Sequence, residues 1–150
     1  MRRLALALAL SAIASLAIAA APRLAPRTTQ AQATTHDYTF SSGAGLLLFY
    51  VRPDHTADFE AVVARLSAVL DRTDDPVRKQ QAASWRVFQS VEAARDHAIY
   101  AFVFDPAIAT ASYDPVTVLG EAVPTEVQGL FERLKASVIR VERMGLRKMR

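Results

Sequence analysis

Few side chains in this chain could do chemistry, and the clearest candidate is a histidine beside an aspartate. His97 directly follows Asp96 in a polar stretch between two apolar runs. Because histidine titrates near neutral pH, His97 is the candidate catalytic base or ligand; the alternative is a solvated turn residue. His55 precedes a predicted helix, and His36 lies in a polar amino-terminal segment. The three histidines are 19 and 42 residues apart, which matches no metal-binding motif, so no metal site and no cofactor are predicted.

Three aromatic side chains with a polar atom are candidates for ligand binding. Tyr50, Trp85 and Tyr100 lie in apolar runs, and a flat ring with a polar tip suits a ring-shaped ligand. The alternative is a place in the core or in a subunit interface, where such side chains are also common. Arg52 and Arg86 could bind an anion, although arginines at strand ends usually point to water. The absence of cysteine excludes disulfides, thiolate metal sites and cysteine nucleophiles.

A predicted β-hairpin over residues 84–105 positions most of these side chains. Side chains of residues 84–91 alternate between the two faces of a strand. Residues 98–104 are apolar on both faces and rich in β-branched and aromatic side chains, and Pro106 ends this second strand. The connection 92–97 contains no Asn-Gly or Asp-Gly pair, which favours a longer loop over a tight turn.

A second strand with two apolar faces begins the domain. Residues 45–51 form a continuous apolar run ended by polar residues and a proline, which predicts a buried strand. Residues 58–70 carry apolar side chains at the spacing of an amphipathic helix, with Thr56 as its predicted N-cap. Residues 72–81 are polar and contain Asp-Asp-Pro, so a loop is predicted there.

The carboxyl-terminal part is predicted to be mainly helical. Residues 114–119 form a predicted short helical turn ended by Gly120, and a long helix is predicted over 124–141, broken by Gly145. Residues 146–149 are either a short fourth strand at the sheet edge or a frayed basic tail. This order predicts an α+β fold of the ferredoxin-like, split β-α-β type, an antiparallel sheet with helices on one face.

The two strands that are apolar on both faces predict self-association. A strand of this kind must be covered on both sides of the sheet. The predicted helices cover one face, and the chain is too short to supply a second sheet for the other. We therefore expect a homodimer in which a second copy covers the remaining face.

The first 33 residues have the pattern of a secretory signal peptide followed by a polar spacer. A positive start precedes an apolar run of 18 residues, 4–21, interrupted only by two serines. Cleavage is expected after the triplet Ala31-Gln32-Ala33; the alternatives are a cut near Ala20 or Ala21, or an uncleaved anchor. The expected location is therefore exported, periplasmic or secreted, with no stable membrane anchor once the leader is removed.

The remaining chain is expected to be a flexible lead-in, residues 34–44, and one domain, residues 45–150, with a basic carboxyl-terminal tail. The basic tail, residues 140–150, carries five bases and one acid, whereas residues 34–139 carry 9 bases and 14 acids, a net charge of −5. A body of that sign argues against general binding of nucleic acid.

The predicted 45–51 strand, 58–70 helix, 84–105 hairpin and 124–141 helix resemble the dimeric α/β-barrel proteins, the group that includes the antibiotic-biosynthesis-type monooxygenases. The leader and residues 45–54 and 85–88 are also similar to uncharacterised small secreted bacterial proteins of that fold. The resemblance implies that two sheets face each other across a dimer interface. It also implies a range of activities: cofactor-free oxygenation of quinols, haem degradation, lactone isomerisation and no known chemistry. The Asn-Trp-His set of the haem-degrading members has no counterpart in this chain.

Three functional hypotheses follow. The first is an exported dimeric α+β barrel that binds a small apolar or aromatic ligand or serves as a structural module. The second is a cofactor-independent monooxygenase-like enzyme acting on a small aromatic or quinol substrate, with Tyr50, Trp85, Tyr100 and His97 as the candidate residues. The third is attachment to a membrane surface through the basic residues of the tail 140–150.

Overall fold

The computed structural model describes residues 38–92, 94 and 96–150. The predicted leader, residues 1–33, and the start of the lead-in, residues 34–37, lie outside the described residues, so the export and cleavage predictions remain predictions. In the part of the chain that is described, no helix is long and apolar enough to cross a membrane.

Four strands and four helices make up the described domain, and they confirm the predicted α+β class. They are, in chain order, β1 Ala44–Val51, α1 Thr56–Arg72, α2 Pro76–Ser84, β2 Trp85–Gln89, β3 Ala98–Phe104, α3 Pro115–Ala122, α4 Val127–Ser137 and β4 Val138–Leu146, with a 3-10 turn at Pro53–His55.

The sheet is antiparallel throughout, with the strand order β2-β3-β1-β4. Leu48 of β1 lies opposite Ala101 of β3 on one side and Glu142 of β4 on the other, while Phe88 of β2 also lies opposite Ala101. The two central strands are therefore the two that the sequence marks as apolar on both faces. The order is compatible with a ferredoxin-like arrangement.

The helices pack on one face of this sheet, and the side chains of that face form the core. The side chains of β1 and β3 on that face are buried: Leu47, Phe49, Val51, Tyr100, Phe102 and Phe104. The apolar stripe of α1 packs against them, and the Phe49 ring lies 5.4 Å from that of Phe59 and 4.6 Å from that of Phe102. The predicted amphipathic helix is thus confirmed, and Thr56 is its first residue rather than its N-cap.

The segment before β1, which we expected to be flexible, contributes two aromatic side chains to the core. Tyr38 is 8% exposed and Phe40 is fully buried. The Tyr113 amide donates to the Tyr38 carbonyl at 2.9 Å, and the Phe40 ring packs so closely on Gly45 that a Cβ there would come within 2.5 Å of it. Residues 38–43 therefore belong to the folded domain.

The predicted loop over residues 72–81 is wrong, because α2 begins at Pro76. The Asp75 side chain accepts a hydrogen bond from the Arg78 amide at 2.7 Å and caps the helix, and proline is well suited to the first helical position. The side chains that α2 buries are polar, namely Gln81 and Ser84. An apolar stripe, the signal on which helix prediction depends, is therefore missing.

The predicted helix over residues 124–141 is also wrong in its extent. It runs only from Val127 to Ser137, and the chain then forms β4, which pairs with β1 over nearly the full length of both strands. A fourth strand exists, but it occupies residues 138–146 rather than 146–149. β-branched residues such as Val138, Ile139 and Val141 favour a strand, and the open edge of β1 supplies hydrogen-bond partners for the backbone.

The short helix α3 begins where the sequence predicts and ends later. The Asp114 side chain accepts hydrogen bonds from the amides of Val116 and Thr117, at 3.3 and 3.0 Å. The helix continues through Gly120 to Ala122, so Gly120 does not end it. A cap at the start is a local property of the sequence, whereas the end depends on packing against the rest of the domain.

Candidate functional site

The face of the sheet opposite the helices, here called the open face, is the candidate functional site. Its centre is apolar and half-buried, and its exposed rim includes Phe88, which is 57% exposed. Leu46, Leu48, Ile99, Ala101 and Val103 form the centre; Phe88, Arg86, Met144, Glu142, Arg140 and Tyr50 surround it. The described helices pack against the other face of the sheet, which makes the open face the candidate for a binding surface.

The centre of the open face carries a short side chain between two longer ones. In the row of paired residues across the sheet, Ala101 lies between Leu48 and Phe88, both of which have longer side chains. A short side chain between two long ones leaves room for part of a ligand or of another surface.

A cluster of polar and charged side chains lies at one end of the open face. The Tyr50 hydroxyl donates to Glu142 Oε2 at 3.2 Å, and the Arg140 guanidinium lies 3.7 Å from the Tyr50 ring centre and pairs with Glu142 at 3.0 Å. The His97 ring lies 5.1 Å from the Tyr50 ring. Two of the predicted site residues, Tyr50 and His97, are therefore brought together.

His97 also contacts the acid that precedes it in the sequence. Its Nδ1 lies 2.8 Å from Asp96 Oδ1, and its side chain is 23% exposed. When Nδ1 carries the hydrogen and donates it to Asp96, Nε2 remains as a hydrogen-bond acceptor. His97 can thus act as a base or as an anchor for a ligand hydroxyl. It also lines a cleft of about 300 Å³ at the hairpin end, together with Gln89, Pro53 and Thr56.

Tyr100, the third predicted aromatic, lies on the helix-covered face, and its hydroxyl is fully engaged. It donates to Glu60 Oε1 at 2.5 Å and accepts from Gln89 Nε2 at 3.1 Å. Burial, followed by the hydrogen bond and the charge of Glu60, raises the pKa of Tyr100 well above the usual value for tyrosine. This hydroxyl ties β3 to α1 and β2 and stays protonated over the physiological range.

Trp85 also lies on the covered face, away from Tyr50 and His97. Its ring contacts Phe102, Phe104 and Tyr113 at centroid distances of 5.8, 4.9 and 5.6 Å. Its Nε1 is buried and has no hydrogen-bond partner among the described residues. The edge-on rings of Phe104 and Tyr113 surround this indole, which is the environment of a core residue.

The other histidines and the two arginines singled out in the sequence have local partners or lie outside the described part. His55 Nδ1 contacts Asp58 Oδ2 at 3.1 Å at the start of α1, and His36 is not among the described residues. Arg52 donates to the carbonyls of Ala136 and Val138, and Arg86 donates to those of Ala83 and Trp85. These arginines therefore satisfy carbonyl groups at the ends of α4 and α2.

A cleft of about 640 Å³ lies among α1, α2 and α3. Arg78 borders it and makes several bonds: to Glu121 at 2.6 Å, to Gln81 Oε1 at 2.5 Å and to the Ser112 carbonyl at 2.8 Å. Its donors are directed to groups of the protein itself, so it holds α2 and α3 together. Within residues 38–150 as described, no group of His, Asp and Glu side chains has the arrangement of a metal site.

Arg140 and Glu142 are site residues that the sequence did not reveal. Both were assigned to a helix or a tail, where neither would face the sheet. The only signal was the β-branched sequence from Val138 to Val141, which would have placed every second residue of this region on the open face.

No protein-family model matches the chain, and no curated protein is similar to it in sequence. The resemblance to the dimeric α/β-barrel proteins thus depends on the pattern of elements, together with a strand order that is compatible with a ferredoxin-like fold.

Proposed function

We propose that this protein is an exported homodimer in which the open faces of two sheets pack together and enclose a site for a small apolar or aromatic ligand. The observation that carries the proposal is the apolar, uncovered centre of the open face. The four strands are five to nine residues long and lie about 4.8 Å apart, so one face of the sheet has a footprint of roughly 400 Å². The largest apolar patch on a typical soluble protein covers about 300–600 Å² and is often functional, and the apolar centre of this face is a candidate for such a patch.

A second copy of the chain is the occupant that we propose for this face, because it would bury the apolar side chains that otherwise contact water. Both faces of β1 and β3 carry apolar side chains, and the helices bury only one of these faces. Burial of the second face in a dimer would lower the free energy further. Aromatic and methionine side chains at the rim, Phe88 and Met144, are also typical of subunit interfaces.

The short side chain of Ala101 between Leu48 and Phe88 supports the ligand-binding part of the proposal. Two facing sheets would bring two such positions together and leave interior space lined by apolar side chains. The polar cluster of Tyr50, His97 and Glu142 lies at one end of the face and would orient a ligand that carries one hydrogen-bonding group. This combination of an apolar wall and few polar groups is typical of small-molecule sites.

Native mass spectrometry of residues 34–150 tests this function. A dimer that carries additional mass supports both parts of the proposal, and the added mass gives the ligand class. A dimer without added mass supports self-association but contradicts the binding of a ligand that co-purifies with the protein. A monomer at micromolar concentration overturns the proposal.

A charge on the open face provides a matched test. Leu48→Glu should convert the dimer into a monomer, because it places an unpaired carboxylate in an apolar interface. Ala61→Glu, at an exposed position of α1, is the control and should leave the dimer intact. Circular dichroism establishes that both variants are folded.

A second candidate function, cofactor-independent oxygenation of a small aromatic or quinol substrate, is favoured by the contacts of His97 with Asp96 and Tyr50. A base oriented by a carboxylate beside an apolar surface is suited to accept a hydroxyl proton. Oxygen consumption with a panel of quinols tests it. Turnover that is lost in His97→Ala and retained in His55→Ala would support this function, and a rate equal to that of buffer would exclude it.

A further inference from the structure

We infer that residues 147–150, here called the basic end, dock on an anionic lipid surface. This inference is independent of the proposed dimer. It concerns a segment that leaves the sheet after Leu146 and contains Arg147, Lys148, Met149 and Arg150, all of them exposed.

The structure separates the bases of residues 140–150 into two groups. Arg140 pairs with Glu142 and stacks on Tyr50, while Arg143 donates to the Thr39 carbonyl and lies over the Phe40 ring. These two arginines are parts of the folded domain. The three bases of the basic end form no ion pair with any described residue, so their charge is available to a partner.

An apolar side chain accompanies these charges. Met149 is 81% exposed and lies between Lys148 and Arg150. Basic residues interspersed with an apolar one suit the headgroup region of a bilayer, where charges meet lipid phosphates and the apolar group reaches the acyl chains.

The position of the basic end in the fold suits contact with a flat surface. Leu146 pairs with Ala44, so the basic end leaves the domain at the end of the sheet where β1 begins. Four extended residues reach roughly 13 Å, which exceeds the Debye length of about 8 Å at physiological salt. The basic end can therefore contact an anionic surface while the acidic domain lies beyond the distance at which that surface repels it strongly.

The charge of the remaining chain favours lipid over nucleic acid. Residues 34–139 carry a net charge of −5, so a polyanion that wraps the domain is repelled. A planar anionic surface, by contrast, can meet the basic end alone. Each base near such a surface strengthens binding roughly fivefold. Three bases together should contribute on the order of 100-fold.

Sedimentation of residues 34–150 with vesicles of phosphatidylglycerol and phosphatidylcholine tests the inference. We expect binding that rises with the phosphatidylglycerol fraction and falls as salt is raised from 50 to 500 mM. In the triple variant Arg147→Gln, Lys148→Gln and Arg150→Gln, partitioning should fall on the order of 100-fold. Native mass spectrometry should show the same subunit number as in the unmodified protein, which distinguishes this test from that of the dimer.

The matched control neutralises three exposed bases elsewhere: Arg72→Gln, Arg133→Gln and Lys135→Gln. Partitioning equal to that of the unmodified protein supports the inference. An equal loss of vesicle partitioning in the two triple variants would overturn it, and so would equal binding to neutral and anionic vesicles. Tighter binding of the basic end to duplex DNA than to the vesicles would overturn it as well. Deletion of residues 140–150 is unsuitable because it removes most of β4.

Discussion

The two faces of the sheet are built from the same strands, yet they differ in nearly every physical property. On the covered face, Phe49, Phe102 and Phe104 are at most 2% exposed and lie in ring contact with their neighbours. On the open face, the residues that flank Phe49 and Phe102, namely Leu48, Tyr50, Ala101 and Val103, remain half-buried. Alternate residues of β1 and β3 thus differ, since one set stabilises the folded domain and the other set forms the candidate binding surface.

The polar groups of the two faces differ in the same way. On the covered side, Tyr100 and Gln81 direct their hydrogen bonds to groups within the domain. On the open side, Tyr50, His97 and Arg140 gather at one end and remain partly exposed. The polar groups on the covered side fix the fold, whereas those on the open side can still interact with a ligand.

The largest predicted effect compares a phenylalanine from each face. Phe102→Ala should lower the free energy of unfolding by about 3–5 kcal/mol, because it empties part of a closed core. Phe88→Ala should change the unfolding of the isolated subunit by less than about 0.5 kcal/mol, as an exposed substitution does, while it weakens self-association. Urea unfolding and analytical ultracentrifugation measure the two effects. Equal loss of stability in both variants would show that the open face is part of the core.

A smaller effect concerns the close approach of Phe40 to β1 on the covered face. Gly45→Ala places a Cβ about 2.5 Å from the fully buried Phe40 ring, so the ring or the backbone must shift to accommodate it. We expect a loss of about 1–3 kcal/mol from overpacking. Gly129→Ala, where α4 leaves the added methyl group in open space, is the control and should gain roughly 0.5–1 kcal/mol. Thermal unfolding that is unchanged in Gly45→Ala would contradict the packing described here.

The smallest effect is a pH dependence that originates on the covered face. Burial raises the pKa of both Tyr100 and Tyr38, so the folded state keeps these phenols neutral while the unfolded chain ionises near pH 10. This contribution to stability is fully present below pH 10 and is lost as the pH rises above it, by at most about 1.4 kcal/mol per pH unit for each group. Tyr100→Phe should cost about 1 kcal/mol at pH 7 and should flatten this decline. Urea unfolding at pH 7 and pH 11 checks it, and identical slopes for the two proteins would disprove the role of Tyr100.

The sequence predicted the elements whose apolar pattern is strong. The strand over residues 98–104 has the same bounds in the structure, and that over 45–51 differs by one residue. The helix α2 was missed because its buried side chains, Gln81 and Ser84, are polar and find partners that a linear pattern does not show. The strand β4 was missed because Val138 and Val141 fit a helical spacing as well as a strand, and only pairing with β1 decides between the two.

The candidate site was predictable only in part. The strand periodicity places His97 on the same face as Ile99 and Ala101, so its contact with Tyr50 follows once β1 and β3 are paired in the observed register. Trp85 and Tyr100 have the same chemical character as Tyr50, but their positions along the strands place them on the covered face. The parity of a residue within its strand, rather than its type, therefore decides whether it can meet a ligand.

The contact between Phe40 and Gly45 also limits how far the chain before β1 can be shortened without loss of core packing. A chain cut before Tyr38 keeps the two buried aromatic side chains Tyr38 and Phe40. Trimming beyond Phe40 would remove the ring that fills the space above Gly45 and would expose the neighbouring Phe104 and Tyr113 rings, which Phe40 contacts at 5.4 and 5.7 Å. A chain shortened beyond Phe40 should therefore be less resistant to proteolysis than one that retains Tyr38 and Phe40, and protease resistance would report whether the two rings are in place.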